Sequence, residues 1–293
     1  MPSIDVVIPV WNRAHIVDRA IASALAQELP GADWSIRPIV VDDGSTDDLD
    51  RALAPFGGRV LCIRHRRNKG AAAARNSGIA AATADHVAFL DSDDVWLPGK
   101  ITAQIAFMEQ HRHRASATAY KLKRSGAGEF VSPRYRTGVL GLSDFAWGCF
   151  VSPGSTLICR REVFSRIGAF DEGLHRLEDW DWLLRYGEHY PLGFLAVPLA
   201  LIEVTPGAQG TKELAALDRL AARHAALLRS REGRAFAAGI EVERAAIHFR
   251  GGRRLASGIA LMKALRFVPF GNVALGAVLH NRLGRRAASG SST

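Results

Sequence analysis

Short apolar runs rich in β-branched residues alternate with segments of helical period along the first part of this chain. IDVVIPV (residues 4–10), IRPIVVDD (36–43), RVLCIRH (59–65) and HVAFLD (86–91) read as strands. Continuous apolar runs of that length suit strands buried on both faces, as in a parallel sheet. Between them lie HIVDRAIASALAQ (15–27), with Ile16, Ala20 and Ala24 and also Val17, Ile21 and Leu25 on one side, and the Ala-rich GAAAARNSGIAAA (70–82). A β-then-α alternation in units of about 30 residues predicts a doubly wound, mainly parallel α/β sheet flanked by helices.

Further on, KITAQIAFMEQH (100–111) predicts a helix launched after Pro98-Gly99, whereas residues 120–152 carry no strong period. Residues 155–173 read as strand, short helix and turn, and GFLAVPLALIEV (193–204) as a strand interrupted by proline. EDWDWLLRYGEH (178–189) is a helix whose acidic first turn suits the positive end of the helix dipole. After a Gly-rich loop over 205–211, LAALDRLAARHAALL (214–228) and AFAAGIEVERAAIHF (235–249) are helical, and the final AASGSST has the composition of a disordered end. The pattern divides the chain into an α/β domain over 1–212 and a basic, mainly helical extension over 213–293.

Charge sharpens that division. The chain carries a net +9, yet residues 214–293 hold 14 Lys and Arg against 4 Asp and Glu, so the rest is close to neutral. A basic tail suits an anionic partner, although excess arginine on helix faces also serves solvation. No run reaches the ~18 apolar residues of a spanning helix, and FVPFGNVALGAVL (267–279), broken by Pro269 and three polar or glycine positions, suits an interface instead. The expectation is peripheral contact with an anionic membrane through 214–286 and no nucleic-acid partner. Cys62, Cys149 and Cys159 form no metal or disulfide pattern, and MPSIDVVIPV has no signal-peptide layout, so a cytoplasmic protein with reduced thiols is expected.

Chemistry concentrates in three acidic clusters: VVDDGSTDD (40–48), VAFLDSDD (87–94) and LEDWDW (177–182). The first two directly follow predicted parallel strands, and in open α/β folds ligands bind outside the carboxyl ends of the strands. A crevice lined by carboxylates repels a bare phosphate but holds a divalent cation, which then holds the phosphate. Asp91 and Asp93, two apart on an extended segment, could converge on one Mg²⁺ or Mn²⁺. Asp42, Asp43 and Ser45 could hydrogen-bond a base or ribose, or equally form a capped turn.

The motifs VVIPVWNR, VVDDGSTDD, NKGAAAARNSGIAAA, VAFLDSDDVWLP and LEDWDWLLR follow one another in that order. Together, over residues 3–204, they resemble the family-2-type nucleotide-sugar glycosyltransferases, an inverting bacterial group with the GT-A fold. The resemblance implies that Pro9, Asn12 and Arg13 wrap the nucleotide base, that Asp43 with Asp42 bonds it, and that Lys69 and Arg75 face the diphosphate. Asp91 and Asp93 match the DxD motif, Asp91 reaching ribose or metal and Asp93 the metal. Asp179 matches the general base, with Glu178 its rival and an acceptor-side neighbour. Trp180 and Trp182 do not share a helix face, so one could stack on an acceptor sugar while the other packs in the core. The resemblance further implies a nucleotide-sugar donor, most commonly a UDP-sugar, and a glycan or lipid-linked acceptor.

One departure stands out. Relatives often place a metal-binding His after the last core strands, and EVTPGAQGTKEL (203–214) offers none; His175, four residues before Asp179, could reach an acceptor. Other nucleotide chemistries fit less well, since neither GxxxxGK[ST] nor a GxGxxG after the first strand occurs, and PVWNRAH replaces a Gly-rich phosphate loop. A degenerate transferase domain serving as a membrane- or polymer-binding module is the alternative, opposed by the intact acidic motifs.

Overall fold

The computed structural model describes residues 1–124, 127–132, 136–203 and 210–267. The apolar run at 267–279 beyond its first residue, the end at 287–293 and most of the loop at 205–211 lie outside the described residues. The elements run β1 (Ser3–Val10), α1 (Val17–Leu25), β2 (Ser35–Asp42), α2 (Leu49–Leu53), β3 (Leu61–Arg64), α3 (Ala71–Ala81), β4 (His86–Phe89), β5 (Val95–Trp96) and α4 (Lys100–His111). They continue with β6 (Ala115–Arg124), β7 (Ala127–Ser132), β8 (Gly138–Leu140), α5 (Leu142–Phe145), α6 (Pro153–Thr156), β9 (Ile158–Arg160) and α7 (Glu162–Ile167). Last come α8 (Glu178–Gly187), β10 (Leu192–Glu203), α9 (Gly210–Arg223), α10 (Gly233–Arg250) and α11 (Arg254–Phe267).

Two units make up the chain: Met1–Val139, Val151–Gly173 and His189–Thr205 form the first, and Leu140–Phe150, Leu174–Glu188 and Pro206–Thr293 the second. The first is built on one sheet of strand order β3-β2-β1-β4-β9-β6-β10-β5, with β7 added beside β6 and β8 beside β10. Strands β3, β2, β1 and β4 are mutually parallel, as their apolar runs predict. Beyond them β9 runs antiparallel to both β4 and β6, while β6 and β10 are again parallel. Ile4, Val6, Ile8 and Val10 of β1 share a core with Val17, Ile21 and Ala24 of α1 and Ile101, Ile105 and Met108 of α4. On the opposite face Phe89 meets the edges of Phe164 and Phe170, with centroids 6.0 and 5.5 Å away.

Strand β6 has little sequence signal, for a physical reason. Its buried stretch is Ala115, Ser116, Ala117, Thr118 and Ala119, small residues with no large apolar alternation. Gln104 of α4, itself buried, donates Nε2 to the Ser116 carbonyl and hydroxyl, both at 3.0 Å. At Ser116 polar satisfaction therefore replaces apolar bulk in the sheet. Pro198 sits where the β6–β10 register shifts, which reconciles a proline with an internal strand.

The second unit holds helices α5 and α8–α11. Trp180 and Trp182 of α8 are fully buried: the Trp180 indole donates to the Phe145 carbonyl at 2.6 Å and meets the edge of Phe236, and Trp182 stacks on Tyr186. The predicted helix over 214–228 breaks at His224, after which a short 3-10 turn takes over. Helix α11 is an element the sequence pattern did not reveal. No helix among the described residues is long and apolar enough to cross a membrane.

Candidate active site

In the first unit, the loops leaving β1, β2, β3 and β4 emerge at one end of the sheet, because parallel neighbours carry their C-termini together. The ladder extends into them: the Asp43 amide donates to the Val10 carbonyl and the His65 amide to the Asp42 carbonyl, both at 2.8 Å. Nine of the residues singled out in the sequence lie on these loops or beside them. They are Pro9, Asn12, Arg13, Asp42, Asp43, Lys69, Arg75, Asp91 and Asp93.

The first two loops are stitched side by side. Asn12 adopts a left-handed φ of 52°, a conformation asparagine tolerates better than most residues. Its Oδ1 accepts from the Thr46 amide at 2.8 Å, its amide donates to Ser45 Oγ at 3.0 Å, and the Ala14 amide donates to Asp47 at 2.7 Å. Asp42 turns its carboxylate back on its own loop, accepting from the Ser45 amide at 2.8 Å. Gly44 is needed for space as well as conformation. At φ +76° a Cβ here would lie 2.5 Å from the Arg67 carbonyl carbon and 2.8 Å from the Asn68 nitrogen, backbone atoms that cannot swing away.

Asp43 is buried and accepts three bonds. The Lys69 amide (2.9 Å) and His65 Nδ1 (2.7 Å) reach Oδ1, and the Gly70 amide (2.7 Å) reaches Oδ2. With Nδ1 donating to the carboxylate, His65 Nε2 accepts from the Ser77 hydroxyl at 2.8 Å. Asp43 thus ties the end of β2 to the segment opening α3, with up to one lone-pair site of its roughly four remaining. Lys69 contributes its backbone to this tie and exposes its side chain.

Both acids of the Asp91-Ser92-Asp93 motif face arginines. Arg75 Nη2 lies 2.8 Å from Asp91 Oδ1, and Arg13 Nη1 lies 2.5 Å from Asp93 Oδ2. Arg75 is buried beneath this loop, its guanidinium carbon 5.8 Å from the Phe170 ring centroid. Asp94, the third acid, performs a different task. It is buried, takes the Ser155 hydroxyl at 2.5 Å and the Glu203 amide at 3.0 Å, and so anchors the loop. Burial, followed by the charges of Asp91 and Asp93, drives its carboxyl well above the ordinary range.

Helix α6 supplies residues that sequence reasoning missed. Ser155 is fully buried and accepts from the Asp91 amide at 3.1 Å while donating to Asp94. At Gly154 a Cβ would sit 2.5 Å from Asp91 Oδ2 and 2.8 Å from Arg75 Nη2, so the absence of a side chain makes room for that ion pair. Below them Lys100 is wholly buried, its ammonium 4.4 Å from the Trp96 ring centroid and 3.3 Å from the Thr156 carbonyl. Burial pushes that amine well below its ordinary value. No spacing in PGST marks Gly154 and Ser155, since their contacts with Arg75, Asp91 and Asp94 are made with chain about sixty residues or more away.

Asp91 and Asp93 fit Mg²⁺ or Mn²⁺ in one specific sense. Two hard carboxylates in one turn match a cation shared with substrate phosphates. Among the described residues no group of three His, Cys, Asp or Glu could hold a cation by protein ligands alone.

The remaining residues belong to the second unit. Glu178 and Asp179 open α8, and Leu177 before them takes a left-handed φ of 67°. The two tryptophans require a correction. Both indoles are spent on packing in the unit's own core, so neither presents a face to an acceptor; in a helix set among α5 and α10, burial overrides the two-sided pattern. Asp181, unassigned from the sequence, is the buried acid of the cluster. Its Oδ2 meets Arg185 at 2.8 Å, and its Oδ1 meets Arg223 at 2.8 Å and His224 at 2.9 Å. Burial, the largest influence, pushes the Asp181 carboxyl up, but the bonds to His224 and Arg185 and the Arg223 charge outweigh it and hold it below the ordinary range.

A family model described as glycosyl transferase family 2 matches residues 5–168. The chain is similar to an uncharacterized glycosyltransferase of Rickettsia typhi, 31% identical over 191 residues, covering 63% of this chain and 58% of the relative. It is also similar to an Escherichia coli UDP-Glc:alpha-D-GlcNAc-diphosphoundecaprenol beta-1,3-glucosyltransferase, 35% identical over 136 residues, covering 45% of this chain and 53% of that protein. The chain therefore spans little more than half the length of these curated relatives. Among solved structures, S. aureus TarS residues 1–349 in complex with UDP superimposes with a TM-score of 0.67 at 19% identity, covering 92% of this chain and 81% of that one. The complex of the same protein with UDP-GlcNAc gives 0.67 at 18% identity. That likeness establishes the mixed α/β fold of GT-A type expected from the sequence.

Proposed function

Since this chain belongs to glycosyltransferase family 2, we propose that it transfers a sugar, with inversion, from a UDP-sugar to a hydroxyl of a glycan or lipid-linked acceptor. The observation that carries this reading is the doubly paired DxD turn, in which Arg75 faces Asp91 and Arg13 faces Asp93 at the carboxyl end of the parallel strands. A nucleoside diphosphate needs cationic groups for its phosphates and polar groups for its base, and both kinds converge on these loops. The choice of UDP follows the E. coli relative named for UDP-Glc and the UDP and UDP-GlcNAc complexes of TarS. The acceptor class follows the diphosphoundecaprenol in the same relative's name.

In this mechanism the Asn12–Arg13 loop and the turn at Asp42 and Asp43 hold the base. Arg75 fixes the Asp91 carboxylate for the ribose or the metal. Arg13 and Lys69 bring positive charge to the diphosphate. Asp91 and Asp93 would hold Mg²⁺ or Mn²⁺, which when bound supplies Lewis-acid neutralisation of the departing diphosphate. Asp179 takes the proton of the acceptor hydroxyl, a contribution of typically 10²–10⁴-fold to rate. The in-line attack opposite the leaving group inverts the anomeric centre.

The test is a thermal-shift panel of UDP-, dTDP- and GDP-sugars with and without Mn²⁺, since a ligand of the folded state raises the midpoint by mass action. A UDP-sugar shift that grows with Mn²⁺ and is lost in Asp93→Ala supports the donor site. Asp179→Asn is expected to keep that shift and lose at least about 100-fold in transfer. Normal transfer by Asp179→Asn removes it as the base.

A further inference from the structure

Helix α11 is built inside out. Its buried positions are Ser257, Ala260 and Ala264, small residues that let it lie close against α10, where the Ser257 hydroxyl donates to the Ala245 carbonyl at 2.9 Å. The opposite side of the helix carries Leu255, Ile259 and Met262, spaced i, i+4 and i+7 and therefore in one row. They are 81, 52 and 66% exposed. A helix that only needed to finish a core would place its large apolar side chains inward. Here three of them stand in solvent in a line.

The row is embedded in positive charge. Arg266 continues it by one more turn, Lys263 flanks it, and Arg254 opens the helix. Glu243 is the last acidic residue in the chain, and the residues after it include nine Arg and Lys. We propose that this face of α11 docks on an anionic lipid surface, lying in the headgroup layer with Leu255, Ile259 and Met262 inserted and the basic side chains on the phosphates. Surface helices bind membranes through that combination of buried apolar area and attraction to anionic lipid. At 14 residues α11 is shorter than the ~20 needed to span.

Other occupants fit the chemistry less well. A second copy meeting this face about a two-fold axis brings together two helices that each carry Arg254, Lys263 and Arg266 and no acid to offset them. The chain's own residues 268–293 carry three more arginines and no acid. A polyanion such as nucleic acid satisfies the charge but gives the apolar row nothing to enter. An enzyme whose acceptor is tethered to lipid gains from such docking, and docking through α11 does not depend on the reaction the first unit performs.

Flotation of the full chain with vesicles of phosphatidylcholine alone, and of phosphatidylcholine mixed with phosphatidylglycerol, tests it. Binding is expected on the mixed vesicles, at least about tenfold above the neutral ones, with release at about 1 M salt. Replacing Leu255, Ile259 and Met262 together by Ser is expected to lower vesicle binding about tenfold while leaving the circular dichroism unchanged. The second variant, Arg254→Gln with Lys263→Gln and Arg266→Gln, should abolish the preference for anionic lipid. Failure of the wild-type chain to float, or unchanged flotation of the Ser variant, overturns the proposal. So does a dimer in light scattering without lipid that the Ser variant dissolves, because the face then belongs to a second copy.

Discussion

Replacing Asp43 by Asn separates an architectural role from a recognition role at one carboxylate. Its two oxygens accept from two backbone amides and one imidazole, all between 2.7 and 2.9 Å. Asn keeps one oxygen and substitutes an NH₂ for the other. With the oxygen at the Oδ1 site, the Gly70 amide faces a donor and its bond to a charged acceptor is lost, a change of about 1.5–3 kcal/mol. The Lys69 and His65 bonds persist to a neutral acceptor, at about half their strength. The sum is a destabilisation of about 3 kcal/mol, large against the roughly 5–15 kcal/mol by which domains are stable. Urea unfolding at neutral pH, followed to its midpoint, reads it directly. Calorimetric titration with UDP at a temperature where both proteins are folded then reports on base recognition separately. An unfolding free energy within about 0.5 kcal/mol of wild type refutes the reasoning, because a buried carboxylate with three donors cannot be neutralised without cost.

Gly154→Ala places a methyl against the tips of Asp91 and Arg75, flexible ends that move aside, so stability should change by only about 1 kcal/mol while UDP-sugar affinity in titration falls at least about tenfold. Asp181→Asn leaves Arg185, Arg223 and His224 around a neutral group in the second unit and should cost about 3 kcal/mol at neutral pH. Because the folded Asp181 carboxyl is held below its ordinary value, its contribution is present above the unfolded value of about 4 and is lost as pH falls through the lower folded value. Stability of the wild type should therefore decline across that acid window, and the Asn variant's curve should be flatter there; parallel curves sink the assignment. Gly44→Ala should destabilise by at least about 1–2 kcal/mol from its left-handed backbone alone, with the steric conflict against Arg67 adding to the shift in the urea midpoint.

The amino-acid order by itself determined the parallel half of the sheet, because runs such as IDVVIPV and HVAFLD are apolar on both faces and can be satisfied only between helices. It also determined that acids follow those runs, and the succession of motifs identified the family. It could not assign tasks among neighbouring acids. Asp91, Asp93 and Asp94 are one chemical type in one turn, yet two face arginines and the third is sealed against Ser155 and the Glu203 amide. In the third cluster Asp181 is buried among Arg185, Arg223 and His224, a placement its neighbours in sequence do not signal. What separates them is the field and packing set by partners distant in sequence, which local patterns do not encode. The same holds for Trp180 and Trp182, whose burial was decided by helices elsewhere in the chain, and for strand β6, where Ser116 is buried with its carbonyl and hydroxyl taken by Gln104. On α11 tertiary packing reversed the ordinary expectation: the small residues make the close contact, and the large apolar ones are left facing outward.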